Sequence, residues 1–178
     1  MEKPQVVIIE NVPPFKKFLP YFEKFIPKPY KLVHKNVYNY LDYGCNWNRK
    51  RLFIILAQNN LDIDMSRYIE PSRTSYEILP YTIPFIEYKT TQSVLKRYYN
   101  DKSFKSCIYC KQFLPSFGSN SYIFHESHGL LHPLQIAQLL ELPLDFTHLS
   151  LPQMRYALAN AIHPKFMSKI INMVERVI

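Results

Sequence analysis

Apolar residues fall along this chain in two short continuous runs and several longer amphipathic stretches. Residues 5–9 (Gln-Val-Val-Ile-Ile) are the first run, the pattern of a buried parallel strand. Glu10 follows at its carboxyl end, where open α/β sheets place their ligands. Pro13 and Pro14 then break the chain. From Phe15 to Phe25 the apolar spacing is helical, with Pro20 capping or kinking it and Pro27 and Pro29 ending it. Lys31 to Tyr40 alternates like a strand, Asp42-Tyr43-Gly44 reads as a turn, and Leu52 to Ala57 is the second buried run.

Between Asn59 and Leu114 the pattern loosens into short pieces separated by prolines 71, 80 and 84, with a helix expected over 89–99. Residues 133–141 carry proline in the first turn and apolar residues at Leu134, Ile136, Ala137 and Leu140, which predicts a helix. Two more helices are expected over 152–162 and 164–177, split by His163-Pro164. The outline is β-α-β-β, an irregular insert, then three helices. It predicts an α/β fold: half of a doubly wound sheet with an inserted module.

Composition narrows the function. With 178 residues, 47% of them hydrophobic, the chain can build a real core. Only three glycines are present, and neither GxGxxG nor GxxxxGK[ST] occurs, so a glycine-rich nucleotide loop is excluded. A net charge of +8 favours a polyanionic partner, and tyrosines and phenylalanines interleaved with Lys and Arg suit base stacking. An odd cysteine count argues against a disulfide scaffold and for a reducing compartment. No stretch approaches the roughly 18 apolar residues that cross a bilayer, and the N-terminus does not read as a signal peptide. A soluble intracellular protein, cytoplasmic or nuclear, with no membrane partner is expected.

Four blocks carry a resemblance. Glu10-Asn11-Val12 closes the first strand. The segment Asp42-Tyr43-Gly44-Cys45-Asn46-Trp47-Asn48-Arg49-Lys50-Arg51-Leu52-Phe53-Ile54 resembles a "DYG-x-P-Q-N-R-x-R-x-F-I" block. Residues 131–146 resemble "T-P-R-E-x-A-R-L-Q-G-F-P-x-x-F", with Leu134 and Gln138 in place of the arginines and Glu141 in place of the glycine. Residues 153–162 resemble "Q-R-Y-x-x-x-G-N-[AS]-[VL]", with Ala159 for glycine. In this order they resemble the C-terminal half of the cytosine-5 methyltransferase family.

The resemblance implies roles. Glu10 would meet the N3 and N4 edge of a flipped cytosine, where a protonated carboxyl satisfies both atoms and makes C6 electrophilic. Arg49 and Arg51, alternate residues of an extended segment, would face one site and hold the base O2 and a phosphate. Asn11, Trp47 and Lys50 would face nucleic acid. Trp47 stands where the family has glutamine and Asn46 where it has proline, so Trp47 either stacks on a base or packs inside. Asn160 and Ala159 would touch the cofactor, S-adenosyl-L-methionine. The implied division is residues 1–58 as strands of the catalytic domain, 59–130 as a small target-recognition module, and 131–178 as helices returning to the catalytic domain.

The family's Pro-Cys loop and its Phe-x-Gly-x-Gly cofactor loop precede the glutamate, and neither is in the nine residues before Glu10. The expectation is a subunit complemented by an N-terminal half that supplies the cysteine nucleophile and most of the cofactor site; a decayed relic is the other reading. DNA is the leading substrate, with tRNA the alternative. A competing constellation, Cys107, Cys110, His125 and His128, has the residue types of a zinc site and would suit a catalytically inactive nucleic-acid-binding module.

Overall fold

The computed structural model of the protein describes residues 3–79, 107–110, 112–125, 129–142 and 148–178, with only the backbone at 107–109 and 129. The helix expected over 89–99 lies outside them.

The main sheet has three strands, β1 (Val6–Asn11), β2 (Lys31–Asn39) and β4 (Lys50–Ala57), in the order β1-β4-β2. Both outer strands pair antiparallel with β4. β1 and β2 therefore run parallel to each other with β4 reversed between them. This corrects two expectations. The first apolar run has an antiparallel neighbour, and its ladder continues to Glu10 opposite Phe53 and Asn11 opposite Leu52. Glu10 is thus held by the sheet rather than lying just past it. β1 is only half-buried along its length, whereas β4 is buried from Leu52 to Ala57, as a central strand should be.

Side chains alternate across the sheet and divide the core in two. Phe53 and Ile55 face a large cluster with the C-terminal helices; Leu52, Ile54 and Leu56 face a smaller one with Leu19. The smaller cluster is covered by a continuous helical path: a 3-10 turn (Pro13–Phe18), α1 (Leu19–Phe22) and a second 3-10 turn (Glu23–Phe25). The prolines that broke the sequence pattern keep this path from becoming one long α-helix.

The insert is less irregular than its sequence suggests. After the short helix α2 (Ser75–Ile78), β5 (Cys107–Cys110), β7 (Tyr122–His125) and β8 (Gly129–Leu130) form a second sheet. β6 (Leu114–Pro115) pairs in parallel with β3 (Trp47–Asn48), joining the insert to the segment just before β4. The large core cluster accordingly includes Cys110, Leu114, Phe117 and Ile123 alongside Phe53, Ile55 and Phe166.

Three helices close the fold: α3 (Pro133–Leu139), α4 (Leu151–Asn160) and α5 (Pro164–Glu175). Among the described residues no helix is long and apolar enough to cross a membrane. Phe166 of α5 is fully buried, and its ring centroid lies 4.8 Å from Tyr40, 5.1 Å from Tyr43 and 5.1 Å from Phe53. Glu70 anchors the same helix through Lys165 at 2.6 Å and Lys169 at 3.0 Å. Gly44, at φ +75°, leaves the space that the Glu70 side chain fills.

The end of α3 explains one family glycine. Leu142 N donates to Ala137 O and Glu141 N to Gln138 O, the paired bonds of a Schellman motif. Glu141 occupies its left-handed position at φ 52°. The backbone keeps the glycine's conformation although the residue has changed. Glu141→Gly should therefore stabilise the fold by about 1 kcal/mol, read as a higher urea midpoint at unchanged slope; an unchanged or lower midpoint would contradict this account of the turn.

Candidate active site

Glu10 and Arg51 meet at the end of the sheet. Arg51 shares a face with Phe53, the cross-strand partner of Glu10, and so projects on the same side as the carboxylate. Its Nε lies 2.6 Å from Glu10 Oε1, and the two side chains are 13% and 23% exposed. Arg51 Nη1 also donates to the Lys50 carbonyl at 2.9 Å. Lys50 itself is exposed and, by alternation, projects from the opposite face. Asn11 shares that opposite face; its Oδ1 accepts from Val12 N at 2.8 Å and closes the strand end.

Arg49 departs from expectation. Its guanidinium does not reach outward to a phosphate: the residue is 3% exposed, with Cζ 4.2 Å from the centroid of the Trp47 ring. Burial first, and then the like charge of Arg51, lower its pKa to about 10. It remains a cation at neutral pH and feels the charges of both Arg51 and Glu10. Tyr40 joins it. It is fully buried with a hydroxyl unpartnered among the described residues, and burial, followed by the Glu10 charge, raises its pKa.

Trp47 is corrected as a nucleic-acid contact. It is 0% exposed, its Nε1 donates to Pro115 O at 3.1 Å, and its ring stacks on Phe117 at 5.5 Å. Asn46, also 0% exposed, donates from Nδ2 to Arg73 O at 2.6 Å and Gln112 O at 3.3 Å, and accepts from Leu114 N at Oδ1. These two departures from the family pattern fasten the insert to the sheet.

Sequence reading missed His163, taken only as a helix break. It is 0% exposed, neither ring nitrogen has a partner among the described residues, and its ring meets Tyr40 edge-on at 6.4 Å. Burial, aided by Lys165, lowers its pKa to about 4. A histidine directly before a helix-starting proline was the available signal, and nothing in the periodicity marked it as buried.

The two expected cofactor residues are neighbours at the end of α4 and differ in exposure. Ala159 is buried in the large core cluster and offers no surface to a ligand. Asn160 is exposed, and its Nδ2 donates to Tyr156 O of its own helix at 2.8 Å, leaving Oδ1 as one outward polar atom. These two residues by themselves therefore offer S-adenosylmethionine one polar side-chain atom. A separate cavity of about 210 Å³ lies between the chain leaving β4 and the end of α5, lined by Asp62, Asp64, Arg67, Tyr68 and Arg176 among others; none of the expected site residues borders it.

For the zinc constellation, Cys110 and His125 face each other in register on β5 and β7, and both approach Ser75: His125 Nε2 lies 3.0 Å from Ser75 Oγ. The Cys107 side chain and His128 lie outside the described residues. Among the described residues no three metal-type side chains converge.

The comparisons with known proteins bear directly on this arrangement. Residues 1–116 match the model of the C-5 cytosine-specific DNA methylases. The chain belongs to that family. No curated protein matches it in sequence. Among solved structures it is similar in fold to the methyltransferase EhMeth of Entamoeba histolytica, with TM-score 0.73 and 14% identity over 99% of this chain and 64% of that one. It is similar also to the Dnmt2 methyltransferase of S. pombe, with TM-score 0.72 and 15% identity over 97% of this chain and 67% of that one. A putative DNA modification methyltransferase encoded within an E. coli prophage follows at TM-score 0.68 and 16% identity, over 98% of this chain and 70% of that one. The chain thus spans about two thirds of the length of these methyltransferases. Members of the family take their methyl group from S-adenosylmethionine.

Two outcomes follow from the buried layer. Trp47→Gln, which restores the family's residue, should cost about 3 kcal/mol or more by emptying the space between Tyr40 and Phe117; a thermal midpoint matching the parent's would refute the packing role. For His163 the folded pKa is about 4 against 6.5 for a free histidine. Between those values the unfolded chain takes up a proton that the folded chain refuses, so stability, complete above pH 6.5, falls as pH drops toward 4, by up to about 3 kcal/mol. The difference in stability between parent and His163→Phe, measured from pH 7.5 to 4, should follow that curve.

Proposed function

We propose that this chain is the C-terminal, target-holding portion of a cytosine-5 methyltransferase acting on DNA, complemented in trans by an N-terminal half that carries the Pro-Cys loop and most of the S-adenosylmethionine site. The observation that carries the reading is the Glu10–Arg51 pair at the strand end, on a chain whose family transfers methyl groups to cytosine C5. Glu10 would exchange its bond to Arg51 for the cytosine edge, taking up a proton from solvent as the ion pair breaks, then donating to N3 and accepting from the N4 amino group. Drawing electron density from the ring, it would open C6 to the partner's thiolate. Arg51, released from Glu10, would turn to the base O2. Arg49 would act from within the core, holding positive potential near the pair without touching substrate.

The outer edge of β1 has no strand partner among the described residues, which suits it to receive a complementing half. The tRNA alternative uses the same residues on the same base. A reducing intracellular compartment is part of the proposal, since the partner's nucleophile must remain a thiol. The zinc-stabilised binding module remains a second reading, favoured by the convergence of Cys110 and His125 at Ser75; one zinc per purified chain would support it.

The experiment is co-expression with candidate N-terminal halves, followed by transfer of labelled methyl to DNA and to tRNA. Activity should require both chains, and Glu10→Gln should lower kcat by about 10²–10⁴-fold while leaving the complex assembled. A complex that forms and stays inert on both nucleic acids would overturn the proposal.

A further inference from the structure

The helical path from Pro13 to Phe25 is apolar on more than the side it buries. Phe15, Leu19, Phe22 and Ile26 pack on Leu52, Ile54 and Leu56 and account for its attachment to the sheet. A second stripe, Phe18, Tyr21 and Phe25 at spacings of three and four, is 48%, 66% and 80% exposed, and Val12 beside it is 47% exposed. Single exposed apolar residues are ordinary, whereas a contiguous patch marks an interaction surface. Among the described residues, four of the eight exposed large hydrophobic side chains lie within this one segment.

The same region is basic. Residues 12–35 hold six lysines against one glutamate, and so five of the chain's eight net positive charges. Lys35 is paired with Glu23 at 2.8 Å; among the described residues Lys16, Lys17, Lys24, Lys28 and Lys31 have no acidic partner. The charges are interleaved with the rings: Lys17 Nζ lies 4.9 Å from the Phe18 centroid and Lys24 Nζ 5.6 Å from that of Tyr21. Lys50 projects from this face of the sheet as well.

That interleaving selects the partner. Protein interfaces are depleted in lysine at their apolar centres. A membrane-surface helix separates its basic residues from its apolar face, which this path does not do. A nucleic acid uses both, with phosphates for the ammonium groups and bases for the rings. Only unpaired bases offer their faces, because a duplex keeps them stacked. We propose that the outer face of Pro13–Phe25 docks a single-stranded or looped stretch of nucleic acid, with Phe18, Tyr21 and Phe25 as stacking platforms and Lys16, Lys17, Lys24 and Lys28 on its phosphates. It rests on the proposed function only in adding an unpaired segment to the same substrate, and it lies on the opposite sheet face from Glu10 and Arg51.

Binding, not methyl transfer, is the readout, so failure of complementation leaves this test intact. Fluorescence anisotropy would follow the full chain with labelled 12-mers: single-stranded DNA, single-stranded RNA of the same sequence, and the DNA duplex. Single strands of at least one sugar type should bind more tightly than duplex. The triple variant Phe18→Ala, Tyr21→Ala, Phe25→Ala should weaken that binding at least tenfold, since each lost stack is worth roughly a factor of ten. Lys17→Ala with Lys24→Ala should flatten the dependence of log K on log salt by about 1.4, or 0.7 per lost phosphate contact. These residues are exposed, so the variants should melt with the parent. Unchanged strand affinity in the triple variant would overturn the proposal. So would duplex binding as tight as that of single strands, or a variant effect seen only on phosphatidylserine vesicles, which would give the surface to a membrane.

Discussion

Burial of Asn46 and Trp47 is the constraint on which the rest of the molecule depends. The pair lies between the turn after β2 and the start of β4, and every polar atom of both side chains is engaged by the insert. Asn46 bonds to Arg73, Gln112 and Leu114, and the indole N–H of Trp47 to Pro115. Buried polar groups left unpaired are costly, so these bonds fix where residues 72–74 and 112–115 must lie. With that register set, the Trp47 ring fills the space between Tyr40 and Phe117, and Tyr40 in turn meets Phe166 of the last helix. Insert, sheet and C-terminal helices are thereby packed around one side chain.

The same packing shapes the candidate site. Arg49, just before β4, stacks on Trp47, which takes it out of solvent and leaves Arg51 alone to face Glu10. Around Tyr40 and Trp47 lies a layer of desolvated polar groups, Arg49, Tyr40 and His163, each with an atom lacking a hydrogen-bond partner among the described residues. Such a layer destabilises the fold and strengthens electrostatics near it, because charges near a dry interior are poorly screened. Glu10 and Arg51 lie close enough for their charges to act on Arg49 and Tyr40.

Much of this was legible in the sequence, and the exceptions have physical reasons. The β4 run and the helices at 133, 152 and 164 were readable because each follows from local period, and the Glu10 and Arg51 blocks stood out through the family resemblance. Strand direction was not, since an apolar run has the same pattern beside a parallel or an antiparallel neighbour. The insert's strands were hidden because they are two to four residues long and pair across gaps, as Cys107 does with Tyr122. Trp47 was ambiguous because an indole suits a base stack or a core equally, and only the position of Phe117, far along the chain, decides. His163 and Arg49 were opaque for a related reason: ionisable side chains are rarely buried, and sequence gives no warning when they are.

Alternation along β4 finally separates two tasks. Odd positions, Arg51, Phe53 and Ile55, face the large core and the Glu10 carboxylate. Even positions, Lys50, Leu52, Ile54 and Leu56, face the Pro13–Phe25 cover. The large core holds Trp47, Phe166 and the buried polar layer, so changes there reach the Glu10–Arg51 pair. The small core rests on four fully or nearly buried aliphatic residues, and at its edge the exposed Lys35–Glu23 pair ties β2 to the cover. Its cover can therefore present exposed rings and lysines without disturbing the register that aligns Glu10 with Arg51. A strand of period two thus allows the face of the Glu10–Arg51 pair and the basic aromatic face to vary independently, although the same eight residues support both.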